Sequence, residues 1–149
     1  HYEDLEIPLI MTNTNSRPLK ENMCDSMDIT TTFLNALNIK PHSDFKGVNI
    51  FQKKKKFVIS ESCGSGNADI KRRNVYFTVT TKKFKMMATL NNKELKAIKL
   101  FNLLEDPNEC KNILNYKVYK KEINLLFRVL YTNRKNIFDI KGVKQPVLY

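Results

Sequence analysis

The chain has 149 residues and 42% apolar content, enough for one packed core and too much for wholesale disorder. Its net charge of +11 comes from 26 Lys and Arg against 15 Asp and Glu, but the lysines are spread along the chain, and only Lys53–Lys56 forms a run. This favours a solvated basic surface over a nucleic-acid-binding patch, and no apolar stretch approaches the roughly 18 residues of a membrane helix.

Ile7–Met11 reads as a short buried strand with Pro8 near its start, and Thr12–Lys20 as a polar loop. Asp28 is a predicted N-cap, followed by Ile29, Phe33, Ala36 and Leu37 at helical spacing. Asn38 is a candidate left-handed stop, and Pro41 ends any continuation. Phe57–Ser60 is continuously apolar until its last residue and predicts a strand buried on both faces, with Lys53–Lys56 as the charged loop before it. Glu61–Asn67, with Gly64 and Gly66, then reads as a loop at that strand's C-terminal end, where α/β sheets hold ligands.

Val75, Phe77 and Val79 alternate with polar residues, and further strands are expected over Phe84–Thr89 and Ile98–Leu103, with a turn at Asn91-Asn92. The connections are too short for crossover helices, so pairing should be antiparallel. Phe101 and Leu103 are expected in the core, with Leu100 and Asn102 on the other face. Asp106-Pro107 breaks the chain, with Glu109 and Asn112 expected to cap neighbouring backbone. Tyr119, Ile123, Leu126 and Leu130 mark one face of a helix from about Lys117 to Tyr131, and the tail after Thr132 is basic and weakly patterned.

Cys24, Cys63 and Cys110 are an odd set without close pairing, and the only histidines are His1 and His42. A disulfide framework and a zinc site are therefore not expected. The unpaired thiols slightly favour a cytoplasmic compartment while leaving localisation open.

Four segments, in order, carry a family resemblance. Tyr2-Glu3 leads into Ile7-Pro8-Leu9-Ile10. Asp28-Ile29-Thr30-Thr31-Thr32-Phe33-Leu34-Asn35-Ala36-Leu37-Asn38-Ile39 is followed by Lys46-Gly47-Val48-Asn49-Ile50. Phe57-Val58-Ile59-Ser60-Glu61 comes third. Phe84-Lys85-Met86-Met87 and then Lys99–Ile113, with Leu103-Leu104-Glu105-Asp106-Pro107-Asn108-Glu109-Cys110-Lys111-Asn112 at its centre, come last. Together they resemble the C-terminal part of the sulfatase family, within the alkaline-phosphatase-like superfamily. Thr31, Asn38 and Asn102 depart from the family's Pro, Gly and Asp at structural positions.

The resemblance implies an α/β to α+β fold. Residues 1–68 would end an alkaline-phosphatase-like α/β sheet, and residues 69–149 would form a small antiparallel sheet packed on a C-terminal helix. It implies a parent enzyme that hydrolyses a sulfate ester with a formylglycine nucleophile and a divalent cation, usually calcium. Neither is expected within this chain. None of the cysteines stands in the Cys/Ser-x-Pro/Ala-x-Arg motif, and the paired metal aspartates would lie before His1. The expected partners are that catalytic part of the same protein and a sulfated small molecule or glycan; no membrane partner is expected.

No catalytic or metal-ligating residue is therefore assigned. Candidates for a substrate-pocket wall are His1, Glu61, Ser62, Cys63, Arg72 and Arg73, the arginines because guanidinium groups match oxyanions bidentately. The alternatives are a phosphoester or phosphonate hydrolase or transferase of the same superfamily, and a basic module binding nucleic acid or an anionic glycan.

Overall fold

A computed structural model of the chain describes residues 9–12, 23–62, 75–91, 93–140 and 142. The elements are α1 (Ser26–Ala36), β1 (Phe57–Ser62), β2 (Val75–Thr81), β3 (Phe84–Asn91), β4 (Glu94–Asn102), a 3-10 turn (Lys117–Tyr119), α2 (Lys120–Asn133) and α3 (Lys135–Ile140). The chain divides into two compact units, one within residues 6–58 and one within residues 59–149. The boundary expected near residue 68 lies outside the described residues.

In the unit within residues 6–58, residues 9–12 belong to no strand, and Ile10 is exposed. The predicted buried strand is thus not formed over its described part, because an extended segment needs a neighbour for its backbone bonds and its apolar side chains. Helix α1 starts three residues earlier than expected. Asp25, not Asp28, is the N-cap, and Asp28 occupies the third helical position and accepts from the Asp25 backbone N–H at 2.9 Å. This reciprocal capping box satisfies two free N–H groups at once. The C-terminus closes as a Schellman motif: Ile39 N–H reaches Leu34 C=O at 2.8 Å, and Asn38 N–H reaches Asn35 C=O at 3.0 Å. Asn38 sits at φ 58°, the left-handed stop that its residue type suggested.

In the second unit the sheet order is β1-β2-β3-β4, with β2–β3 and β3–β4 antiparallel. The run 57–60 is therefore not the interior strand of a parallel sheet but the first four residues of an edge strand, β1, which is half-buried along its apolar part. An edge strand has one flank open, so continuous apolar character does not by itself require two covered faces. Across β2–β3, Val75, Phe77 and Val79 face Leu90, Ala88 and Met86. With Leu126, Phe127 and Leu130 of α2 they belong to the principal core. The β2–β3 turn is fixed by two 2.9 Å bonds between the Thr81 hydroxyl and the Phe84 backbone. At the next turn Asn91 faces Glu94, and Lys93 takes the left-handed conformation, φ 66°.

Strand β4 departs from simple alternation. Met87 pairs with Lys99 but Ala88 pairs with Ala97, so Ile98 is an extra, unpaired residue. This bulge reverses the phase of the strand. Leu95 and Ala97 face the core before it, and Leu100 faces the core after it. The expected placement of residues 100–103 is therefore inverted. Leu100 is fully buried in the core, opposite Met86. Phe101, also buried, lies beside Lys85 on the other face, and Leu103 is only half-buried.

Helix α2 presents Ile123, Leu126, Phe127 and Leu130 to the sheet, the expected stripe with Phe127 added. The weakly patterned tail contains the short helix α3, whose fully buried Phe138 meets Phe77 edge-on at 5.5 Å and stacks on Tyr131 at 5.5 Å.

Candidate functional site

Three polar constellations stand out among the described residues. In the first, the carboxylate of Asp28 is wholly buried. It accepts from Val48 N–H at 2.8 Å and from Lys55 Nζ at 2.9 and 3.0 Å, and Lys55 also binds Asp25 at 2.6 Å. Thr32 extends the same face, donating to Asp28 C=O at 2.7 Å and accepting from Ile50 N–H at 3.2 Å. Segment 47–50 approaches so closely that a Cβ on Gly47 would lie 2.1 Å from the Met27 carbonyl oxygen, which only glycine permits. Lys55 is thus a structural cation rather than part of a solvated lysine loop. Burial alone would lower its pKa, but the bonds from Asp25 and Asp28 outweigh it and raise the value.

The second constellation lies on the sheet face away from the core. Lys85 Nζ meets Glu109 Oε1 at 2.6 Å, both side chains almost completely buried, with Glu109 held at φ 55°. Glu109 therefore pairs with a charge instead of capping backbone. Asn112 does cap, and at an informative place. Its Oδ1 accepts from Leu100 N–H at 3.0 Å and Leu114 N–H at 3.1 Å, while its Nδ2 reaches Ile98 C=O at 3.5 Å. It supplies partners to backbone groups on the open edge of β4, beside the bulge. Asp106 likewise accepts from Cys110 N–H at 3.0 Å and Lys111 N–H at 2.7 Å, closing the turn predicted for it.

The third is the end of β1, which carries the pocket-wall candidates Glu61 and Ser62. Glu61 accepts a hydrogen bond from Arg134 Nε, and Arg134 Nη1 donates to Asn133 C=O at 3.2 Å. The pair remains partly open, with side chains 34% and 22% exposed, and Ser62 beside it is exposed. His1, Cys63, Arg72 and Arg73 lie outside the described residues. Arg134 was not anticipated, since it sits in the basic tail and only the fold brings it 73 residues back to Glu61.

The chemistry available here is limited. Among the described residues no three His, Cys, Asp or Glu side chains come together to hold a metal. Asp25 and Asp28, brought together on Lys55, do not fit a divalent cation, because their oxygens already accept from Lys55 and from backbone N–H groups. The Cys24 thiol is pushed up by partial burial and by the charges of Asp28 and Asp25, the opposite of what a nucleophile needs. No described helix is long and apolar enough to cross a membrane.

No family profile and no curated protein matches the chain. Solved structures do. BT4656, in complex with its substrate D-glucosamine-2-N,6-O-disulfate, is 20% identical with a TM-score of 0.59 over 75% of this chain and 24% of its own. BT1596, a 2-O GAG sulfatase, is 20% identical with a TM-score of 0.61 over 78% of this chain and 26% of its own. The chain thus spans about a quarter of the length of the structures it matches. At this identity the likeness is one of fold: a four-stranded sheet with a C-terminal helix, as in a sulfatase C-terminal sub-domain.

Proposed function

We propose that the chain is the C-terminal portion of a sulfuric ester hydrolase, supplying scaffold and one wall of the substrate pocket. The observation that carries this reading is the agreement of sequence and fold. The four ordered sequence segments resemble the end of a sulfatase, and the fold matches about a quarter of solved structures that include a sulfatase. In such an enzyme the formylglycine and its divalent cation supply the nucleophile and the charge stabilisation, and both would be held by the preceding part of the protein. The residues of this chain would bind and orient. At the end of β1, Arg134 offers a guanidinium to an oxyanion of a sulfated sugar, with Glu61 fixing its direction.

The test has two parts. The purified chain supplied with calcium should not turn over an aryl sulfate, and activity surviving repurification would contradict the reading. The longer protein that includes this chain should turn over an aryl sulfate faster than an aryl phosphate; the reverse order would assign it to phosphate esters. In that protein Glu61→Gln should raise KM several-fold while costing less than about 1 kcal/mol of stability, as for a partly exposed ion pair.

A further inference from the structure

Helix α1 is amphipathic in the inverted sense. Its buried residues are Asp28, Thr31 and Thr32, Ile29 and Leu34 are half-buried, and Phe33 and the C-cap residue Leu37 are 57% and 64% exposed. Phe33 and Leu37 stand one turn apart on the same side, and Ile39 continues the apolar surface at 51% exposure. In a chain with 26 Lys and Arg, none falls between Ser26 and Ile39. A solvated helix in so basic a protein would be expected to carry lysine on its outer side, and an apolar, uncharged outer side marks a covered surface.

The polar side of α1 cannot be what docks. It is occupied by segment 47–50, with Gly47 in contact with the helix backbone and Asp28 and Thr32 holding Val48 and Ile50. We infer that the outer face of α1, centred on Phe33 and Leu37, is a docking surface for the preceding part of the same polypeptide. This rests on the proposed hydrolase reading, in which about three quarters of the protein lies outside this chain. Size argues for a covalently attached occupant over a second copy. Two helical side chains and Ile39 are a small patch beside the ~800 Å² per partner of a stable dimer. A segment of the same polypeptide docks on such a patch at high effective concentration.

The experiment compares Phe33→Gln/Leu37→Gln in this chain and in the longer protein. In this chain the melting point should stay within about 2 °C of the parent sequence, as for exposed positions. In the longer protein it should fall by more than about 5 °C, and amides of residues 29–37 should lose hydrogen-exchange protection. The apolar pair Phe33→Met/Leu37→Met should retain the melting point of the longer protein. An equal loss in this chain, or no loss in the longer protein, would overturn the inference. So would a dimer of this chain that the Gln pair dissociates, which would identify a second copy as the occupant. The unsubstituted longer protein is assayed in parallel with an aryl sulfate. Its inactivity would refute the hydrolase reading, while the melting comparison still decides the docking surface.

Discussion

The two units of this chain bury opposite kinds of residue. Within residues 59–149 an antiparallel sheet and α2 enclose Phe77, Met86, Leu100, Phe127 and Leu130, all at most 1% exposed. Within residues 6–58 the buried groups of α1 are Asp28, Thr31 and Thr32, while Ile29 and Leu34 are only half-buried and Phe33 and Leu37 face outward, so that Ile50 is the buried apolar side chain among the described residues. Hydrophobic burial is non-directional and tolerates some imprecision, whereas a buried carboxylate is stable only if each of its partners is in place. The comparison teaches that one unit carries its own driving force for folding, and the other is built to be positioned.

The largest effects should be similar in size and separate in location. Phe127→Ala should cost about 3–5 kcal/mol through the cavity it leaves under the sheet. Asp28→Ala should cost about 3–5 kcal/mol by leaving Lys55 and Val48 N–H without their buried acceptor. Denaturant titration gives the totals, and hydrogen exchange should place the first loss in β2–β4 and the second in α1. Loss of protection in both regions from either substitution would dissolve the distinction between the units.

Next is the polar exception inside the apolar unit. Glu109→Gln should cost about 2 kcal/mol, because it removes the charge opposite Lys85 in a buried setting. Adding Lys85→Met should recover most of that, since no buried charge then remains. Thermal melts of the single and double variants check this, and additive losses would show that the two side chains act independently. Asn112→Ala should cost about 1–2 kcal/mol and should weaken protection of the Leu100 amide before that of Met86.

The smallest effect concerns pH. The Lys55 pKa is raised in the folded chain, so its contribution is complete below the unfolded value of about 10.4 and is lost as pH rises through the folded value. Exchange protection of α1 should therefore decline on the alkaline side of about pH 10. In Lys55→Met that decline should be absent.

Local alternation exposed β2 and the start of β3, because each inward residue there meets a partner of the same kind across the ladder. The α2 stripe was visible for the same reason, with Tyr119, Ile123, Leu126 and Leu130 on one side. What the sequence concealed depends on distant partners. Nothing near Ile98 announces a bulge, and α3 is too short to show a period. Lys55 looks like its neighbours in a lysine run until Asp25 and Asp28 are brought to it from 30 and 27 residues away. At the candidate site, Glu61 could be singled out as a carboxylate ending an apolar strand, but Arg134 could not. An ion pair spanning 73 residues leaves no local trace in either segment.

The Ile98 bulge also bears on how sequences of this fold should be aligned. A relative lacking one residue between Ala97 and Lys99 would show unbroken hydrophobic alternation along β4 and would look like the better strand. Its phase would be preserved as well, because Ala88–Ala97 and Met87–Lys99 are already consecutive pairs on β3, so without the extra residue Leu95, Ala97 and Leu100 would still share the core face. In such a sequence the residue at Asn112 would lose only its Ile98 partner, because the Leu100 N–H faces the open edge of β4 with or without the bulge. Deleting Ile98 should therefore leave exchange protection of the amides of residues 99–102 largely intact, whereas adding Asn112→Ala should weaken that of Leu100. The extra residue is thus an insertion that the sheet absorbs without disturbing the pairs on either side of it.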